Sequence, residues 1–256
     1  MSCITDCNSC PSKGACAIKN EGEGPSKIEK SFMDKIVIGV MSGKGGVGKS
    51  TVSASLALQL SAERKTCIID ADIAGPSIAR VAGVDSSQII AETHIPSKVD
   101  SLYVFTPEKK SGPTKGVEIL QYLEKISIEE YDVIVIDTPP GTSDVHIALA
   151  KHIPNIKIVL VTTPHKLSIA DTNRQISFCN KSGLEIAAVV ENMSGYKCAS
   201  CEHVVPPQKT AHLTNLRADL PCISIPMSQM IAKESDSGVI QELKKYMNMA
   251  ELKIFK

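Results

Sequence analysis

The sequence predicts an α/β fold built on a doubly wound, mainly parallel sheet. Short β-branched runs recur along the chain, helical patterns lie between most of them, and the first strand–helix junction is a glycine loop. The runs are Ile36–Met41, Thr66–Ile69, Leu102–Phe105, Val133–Ile136, Ile156–Val161, Ile186–Val190 and Cys222–Ile225. Several are almost continuously apolar, as strands covered on both faces are. Helical patterns around Val117–Leu123, His146–Ala150 and Asn173–Cys179 complete an alternation that implies right-handed crossovers onto one sheet. Residues 31–256 form this domain, and residues 1–30 form a cysteine-rich tail and linker.

In the tail, Cys3, Cys7, Cys10 and Cys16 stand among Asn, Ser, Pro, Gly and Lys, a composition that builds no core. The spacing C-x3-C-x2-C-x5-C with no nearby histidine suits an iron–sulfur cluster or an all-thiolate zinc site. Glu21–Ser31, rich in Gly, Glu and Lys, reads as a flexible linker.

The first strand ends in Gly43-Lys44-Gly45-Gly46-Val47-Gly48-Lys49-Ser50-Thr51, and a helical pattern with Val52, Leu56 and Leu60 on one face follows. Strand, G-x-x-x-x-G-K-[ST] and helix together make a phosphate-binding loop. Backbone N–H groups and the helix N-terminus close around phosphate oxygens. Lys49 reaches the β- and γ-phosphates of ATP, and the Ser50 hydroxyl holds Mg²⁺. Lys44 is a second lysine with no duty toward a nucleotide that Lys49 already serves.

The next strand runs into Asp70-Ala71-Asp72-Ile73-Ala74-Gly75-Pro76-Ser77, carboxylates at the end of the sheet where open α/β folds place their ligand crevice. Asp70 supports the Mg²⁺ shell or the loop. The strand at Tyr131–Ile136 ends in Asp137, a Walker B arrangement that fixes Mg²⁺ through water, and Pro139-Pro140-Gly141 makes a turn suited to sensing a γ-phosphate. After Ile186–Val190, Asn192 is a candidate adenine reader, because its carboxamide matches the base's donor–acceptor edge. Cys198-x2-Cys201 is half a metal site, with His203 a candidate third ligand; a two-fold dimer would supply four thiolates. Cys67, Cys179 and Cys222 read as small core residues.

Composition narrows the partners. Lys+Arg and Asp+Glu both number 28, so no net basic field argues for nucleic acid. No apolar run approaches the roughly 20 residues of a bilayer span, no signal peptide's apolar region opens the chain, and the C-terminal segment from Val239 is mixed in charge. Nine cysteines fit a reducing, cytoplasmic setting better than a disulfide framework.

The loop resembles the deviant Walker A motif, KGGVGK[ST], of the MinD/ParA/nitrogenase-iron-protein class of P-loop NTPases. That resemblance implies that Lys44 crosses a dimer interface to the partner's nucleotide and that Asp72 orients the attacking water. GKGGVGKST, DADIAGPS, DTPPGTSD and ENMSGYKCASC together resemble the Mrp/nucleotide-binding-protein family of iron–sulfur scaffold ATPases, from about residue 36 to about 201. Cys7, Cys10 and Cys16 match the N-terminal cluster motif of its eukaryotic cytosolic branch. What the resemblance implies is slow ATP hydrolysis coupled to assembly and transfer of 4Fe–4S clusters to cytosolic and nuclear apoproteins. It further implies a stable N-terminal cluster, a labile one bridging Cys198 and Cys201 of two subunits, targeting factors, and a heterotetramer with a shorter paralogue. The chain departs from the family in the short Cys3–Cys7 gap and in a shortened Val84–Lys115 region carrying Ser111-Gly112-Pro113. It departs again at Ile225-Pro226-Met227-Ser228, where Pro-Leu-Asp is usual. Two rival readings are an ATP-driven iron–sulfur reductase and a MinD/ParA-like positioning ATPase with zinc at its cysteines.

Overall fold

The computed structural model describes residues 26–84, 96–107, 114–198, 200–206 and 220–228. Their strands form one sheet in the order β3-β4-β2-β5-β1-β6-β7-β8, with β9 also pairing β7. The central strands are β1 (Ile36–Met41), β2 (Thr66–Asp70), β5 (Val133–Asp137), β6 (Lys157–Thr162) and β7 (Glu185–Lys197). They run parallel, and β4 (Leu102–Phe105) and β9 (Cys222–Ser228) extend the parallel array on either side. Two short strands, β3 (Ser97–Val99) and β8 (Val204–Val205), pair antiparallel at the margins.

Both faces of the sheet are buried, which is why its strands lack polar alternation. Ile38, Val40, Ile68, Val133 and Val135 pack with Val52, Leu56 and Leu60 of α2 (Lys49–Leu60) on one side, toward α3 (Ile78–Val81). On the other, Val37, Met41, Cys67, Ile134 and Ile136 meet α1 (Lys27–Phe32), α4 (Lys115–Leu123), α5 (Asp144–His152) and α6 (Lys166–Lys181). β1 lies between β5 and β6, so the glycine loop leaves the sheet where strand order reverses, the usual ligand crevice of such folds.

Three expectations change. The linker read over Glu21–Ser31 gives way at Ser26 to α1. There the Ser26 hydroxyl accepts from the Glu29 N–H at 3.2 Å, and the Glu29 carboxylate accepts from the Ser26 N–H at 2.9 Å. This capping box and the buried Ile28 and Phe32 outweigh the polar composition. The strand expected to end at Val190 continues to Lys197, because β9 and β8 pair with its far half. Cys67 and Cys179 are buried as expected, but Cys222, at the start of β9, is exposed.

Candidate functional site

The glycine loop rims a cleft of about 370 Å³, lined by Lys44, Gly45, Gly46, Gly48, Lys49, Ser50, Thr51, Asp72, Ser77, Arg80 and Pro140. Gly48 is the N-cap of α2 with φ +83°, a left-handed conformation that glycine adopts without strain. A methyl group at Gly48 would also run into the amide nitrogen of Asn192. Gly43 needs its lack of a side chain for another reason: a Cβ there would lie 2.6 Å from the backbone of Asp171 on α6.

On the cleft floor, buried Lys49 sets its Nζ 2.7 Å from Oδ1 of fully buried Asp137. The Ser50 hydroxyl donates to Asp137 Oδ2 at 2.7 Å, and the Ser53 hydroxyl donates to Oδ1 at 2.7 Å. Ser77 donates to the Ser50 oxygen at 3.0 Å. Ser50 and Asp137 thus offer hard oxygen donors at one point beside the loop, a donor set that fits Mg²⁺.

Asp70 lies beside Asp137 in register on the neighbouring strand. Its Oδ2 accepts from the N–H groups of Ser77 and Ile78 at 2.7 and 2.9 Å, and its Oδ1 accepts from Asp72 N–H at 2.9 Å. Burial, and then the charge of Asp137, push its carboxyl up to about 7 against the pull of these donors. Asp70 therefore shapes the loop that presents Asp72. The carboxylate of Asp72 lines the cleft and accepts from Gly75 N–H at 3.3 Å.

The loop after Asp137 is fastened to β1. Thr138 N–H and its hydroxyl both donate to the Val40 carbonyl, at 3.2 and 2.9 Å, and Gly141 N–H donates to the Ser42 carbonyl at 2.8 Å. Buried His146 spans the same loop from α5. Its Nδ1 accepts from Ser143 N–H at 3.1 Å and its Nε2 lies 3.1 Å from the Thr138 hydroxyl. Since Thr138 donates its proton to Val40, Nε2 carries the hydrogen and the imidazole is neutral. Burial, with the Lys49 charge second, pulls His146 down to about 4. Gln175 on α6 holds the loop from outside, donating to the Thr142 hydroxyl at 3.0 Å.

Asn192 does not stand free at the cleft. Its Nδ2 donates to the Val47 carbonyl at 2.9 Å, beneath the glycine loop. Six residues farther on, just past the end of β7, Cys198 begins a tight hairpin in which Cys198 N–H donates to His203 carbonyl and Glu202 N–H donates to Cys198 carbonyl, both at 2.9 Å. Hydrogen bonds from the backbone N–H of Cys201, from that of Ser200 and from the Cys201 thiol hold the Cys198 thiol below its ordinary value. Donors aimed at sulfur favour the thiolate, the form that ligates metal. Cys201 is exposed. No group of three His, Cys, Asp or Glu side chains gathers as a metal site among the described residues, so His203 does not complete one with this pair. Cys3, Cys7, Cys10 and Cys16 lie outside the described residues.

The structure thus brings Lys44, Lys49, Ser50, Asp72 and Asp137 to one cleft. It sets Cys198 and Cys201 at the same end of the sheet but beyond that cleft. Ser53, Ser77, Arg80 and His146 belong to the site and were not singled out from sequence. Only Ser53 carried a local signal, standing one helical turn after Lys49.

A family model described as ParA, NUBPL iron-transfer P-loop NTPase, matches residues 34–256. A Trichoplax adhaerens protein named cytosolic Fe-S cluster assembly factor NUBP2 homolog is 40% identical, over 65% of this chain and 70% of its own length. A Drosophila sechellia protein named cytosolic Fe-S cluster assembly factor Nubp1 homolog is 31% identical, over 95% of this chain and 88% of its own. Among solved structures, the nucleotide-binding protein of Archaeoglobus fulgidus in complex with ADP superposes with a TM-score of 0.68 at 27% identity, covering 84% of this chain and 91% of that one. The septum site-determining protein MinD of Pyrococcus horikoshii, complexed with Mg-ADP, gives 0.59 at 25% identity, covering 85% and 92%.

Proposed function

Because this chain belongs to the ParA/NUBPL family of iron-transfer P-loop NTPases, we propose that it is an ATP-dependent scaffold that assembles 4Fe–4S clusters as cargo and hands them to recipient apoproteins. The observation that carries this reading is the continuity of β7, which touches the phosphate loop through Asn192 and presents Cys198 six residues later. A change at the nucleotide has a short path to the thiols along β7, through the bulge between Asn192 and Tyr196.

In this reading the loop amides and Lys49 hold the phosphates, Asp72 orients the attacking water, and Lys44 reaches the nucleotide of a second subunit. Ser50 and Asp137 hold Mg²⁺, which when bound neutralises charge developing on the phosphates. Hydrolysis is slow because the step it times is transfer of cargo. Cys198 and Cys201 of two subunits carry a labile bridging cluster, and Cys3, Cys7, Cys10 and Cys16 carry a stable one. The homodimer pairs further with a shorter paralogue as a heterotetramer. The relatives' names place them in the cytosol, and we assign this chain there with cytosolic and nuclear recipients. No described helix is long and apolar enough to cross a membrane.

Anaerobic reconstitution with iron and sulfide counts and EPR tests the reading. Cys198→Ala should lose the share of iron assigned to the bridge and keep the N-terminal signal. Full iron and sulfide in that variant would sink the bridging cluster, and zinc in place of iron would point to a positioning ATPase.

A further inference from the structure

α6 buries a face that is largely polar. Ser168, Thr172 and Gln175 recur at helical spacing ahead of Cys179, and all four are buried. Two of the three polar side chains are satisfied close by. The Ser168 hydroxyl accepts from the Thr163 hydroxyl at 2.9 Å, and the Thr172 hydroxyl donates to the Ser168 carbonyl at 2.8 Å. Gln175 differs. Its Nε2 donates across 33 positions to the Thr142 hydroxyl at 3.0 Å, while its Oε1 has no donor among the described residues. The residue is 1% exposed. A buried amide with an unpaired carbonyl costs stability that an apolar side chain of the same length would keep. Such a group points to a role other than packing.

Its place supplies one. Asp171, one turn earlier on α6, lies against Gly43, where a Cβ would come within 2.6 Å of the Asp171 backbone. Gln175 grips the other nucleotide-facing loop at Thr142, one residue beyond Gly141 and two beyond Pro140, which lines the cleft. Other ties of that loop come from β1 and α5: Thr138 to Val40, Gly141 to Ser42 and Ser143 to His146. α6 therefore sets the glycine loop and the loop after Asp137 against a common support. We propose that Gln175 is a positioning residue for ATP hydrolysis: by holding Thr142 it fixes Pro140 and Gly141 at the cleft wall. The inference rests on the reading of the cleft as an ATPase site and adds what presets its γ-phosphate loop. A loop already in place loses less freedom on reaching the transition state, so the tie acts on kcat. Affinity rests on the glycine-loop amides and Lys49, so KM should hold.

The test uses the full chain with Mg²⁺ and ATP. Gln175→Met keeps the side-chain length and removes both polar atoms, and Thr142→Val removes the hydroxyl at equal shape. Each should lower kcat about tenfold, the worth of one well-placed hydrogen bond, with KM within about twofold. The double variant should lose no more than either single, since both remove the same bond. In the nucleotide-free chain, Gln175→Met should leave the urea midpoint level or higher, because the unpaired acceptor goes with the amide. The Gly141 amide should exchange with deuterium about tenfold faster in both single variants. Full kcat in Gln175→Met, losses that add in the double variant, or a fall in kcat that only mirrors a lower midpoint would overturn the proposal. The two ideas fail separately. A wild-type chain that hydrolyses no ATP would defeat the ATPase reading. The tie is then judged on amide exchange, and an unchanged rate in Gln175→Met would overturn it.

Discussion

The side-chain amide of Asn192 donates to the carbonyl of Val47 at 2.9 Å, tying β7 to the underside of the phosphate loop. An adenine reader would lose discrimination between bases when truncated, whereas a loop anchor would lose phosphate affinity for every nucleotide. Asn192→Ala strands a half-buried carbonyl, which costs about 1–2 kcal/mol. We expect ATP and GTP to weaken alike, by about tenfold each, in equilibrium binding by calorimetry. A loss confined to ATP would return Asn192 to base recognition. Because the strand that carries Asn192 leads directly into Cys198, the same variant should also uncouple nucleotide from the rate of iron release to a chelator.

Lys49 and Asp137 form a buried ion pair at 2.7 Å, with a second carboxylate, Asp70, in register alongside. Removing the lysine leaves a buried charge without compensation, a loss of roughly 3–5 kcal/mol. Lys49→Met should therefore abolish ATP binding and also lower the urea midpoint of the nucleotide-free protein. Adding Asp137→Asn should recover more than about 1 kcal/mol of that loss, since it removes the stranded charge. A double variant as unstable as the sum of its singles would show that the pair does not interact.

Lys44 is exposed on the rim of the cleft, and its backbone carbonyl accepts from the Ser42 hydroxyl at 3.1 Å. A side chain that serves a partner's nucleotide is dispensable for binding within its own subunit. Lys44→Ala should keep ATP affinity within about twofold while lowering hydrolysis by at least tenfold and weakening ATP-dependent dimerisation. Equal loss of affinity and turnover would place the lysine on its own subunit's phosphates instead.

The sequence reached the parts of this site that are local in the chain. A glycine loop between an apolar strand and a helix, and Asp137 at the end of another apolar strand, are carried by residues close enough in sequence for spacing to signal them. What it missed is set by contacts between distant segments. Asn192 meets Val47 across 145 positions, and nothing around Asn192 distinguishes a base reader from a loop anchor. The far half of β7, Glu191–Lys197, is polar and contains Gly195, so its strand character comes from pairing with β8 and β9 rather than from propensity. α1 was hidden by composition and revealed by its cap. His146 read as one more position in a helical pattern, because a buried polar network shows itself only when its partners are assembled.

That network supplies a pH dependence. His146 is buried, accepts from Ser143 N–H and donates to Thr138, and its native value is pulled down to about 4 from 6.5. The unfolded chain therefore binds more protons than the native one between these values, so the contribution of His146 to stability is complete above pH 6.5 and is lost as pH falls toward 4. Between pH 7 and pH 5 the loss is roughly 2 kcal/mol. Asp70 works in the opposite sense. Its native value is raised to about 7 from 3.8, so its contribution is complete at low pH and fades as pH rises through that window. The wild-type slope is the sum of the two and can be shallow. The comparison with His146→Asn isolates the imidazole. At pH 7.5 the variant should be less stable by about 1–3 kcal/mol, having lost the bonds that hold the loop after Asp137. In nucleotide-free urea titrations with chelator, that gap should close by roughly 2 kcal/mol on going to pH 5, because only the wild type has a neutral imidazole to lose. A gap that stays constant on acidification would mean that native His146 takes up its proton as readily as the unfolded chain does, and one that widens would mean that the charged form is favoured in the native protein; either outcome would remove the neutral imidazole on which the assigned hydrogen bonds at His146 rest.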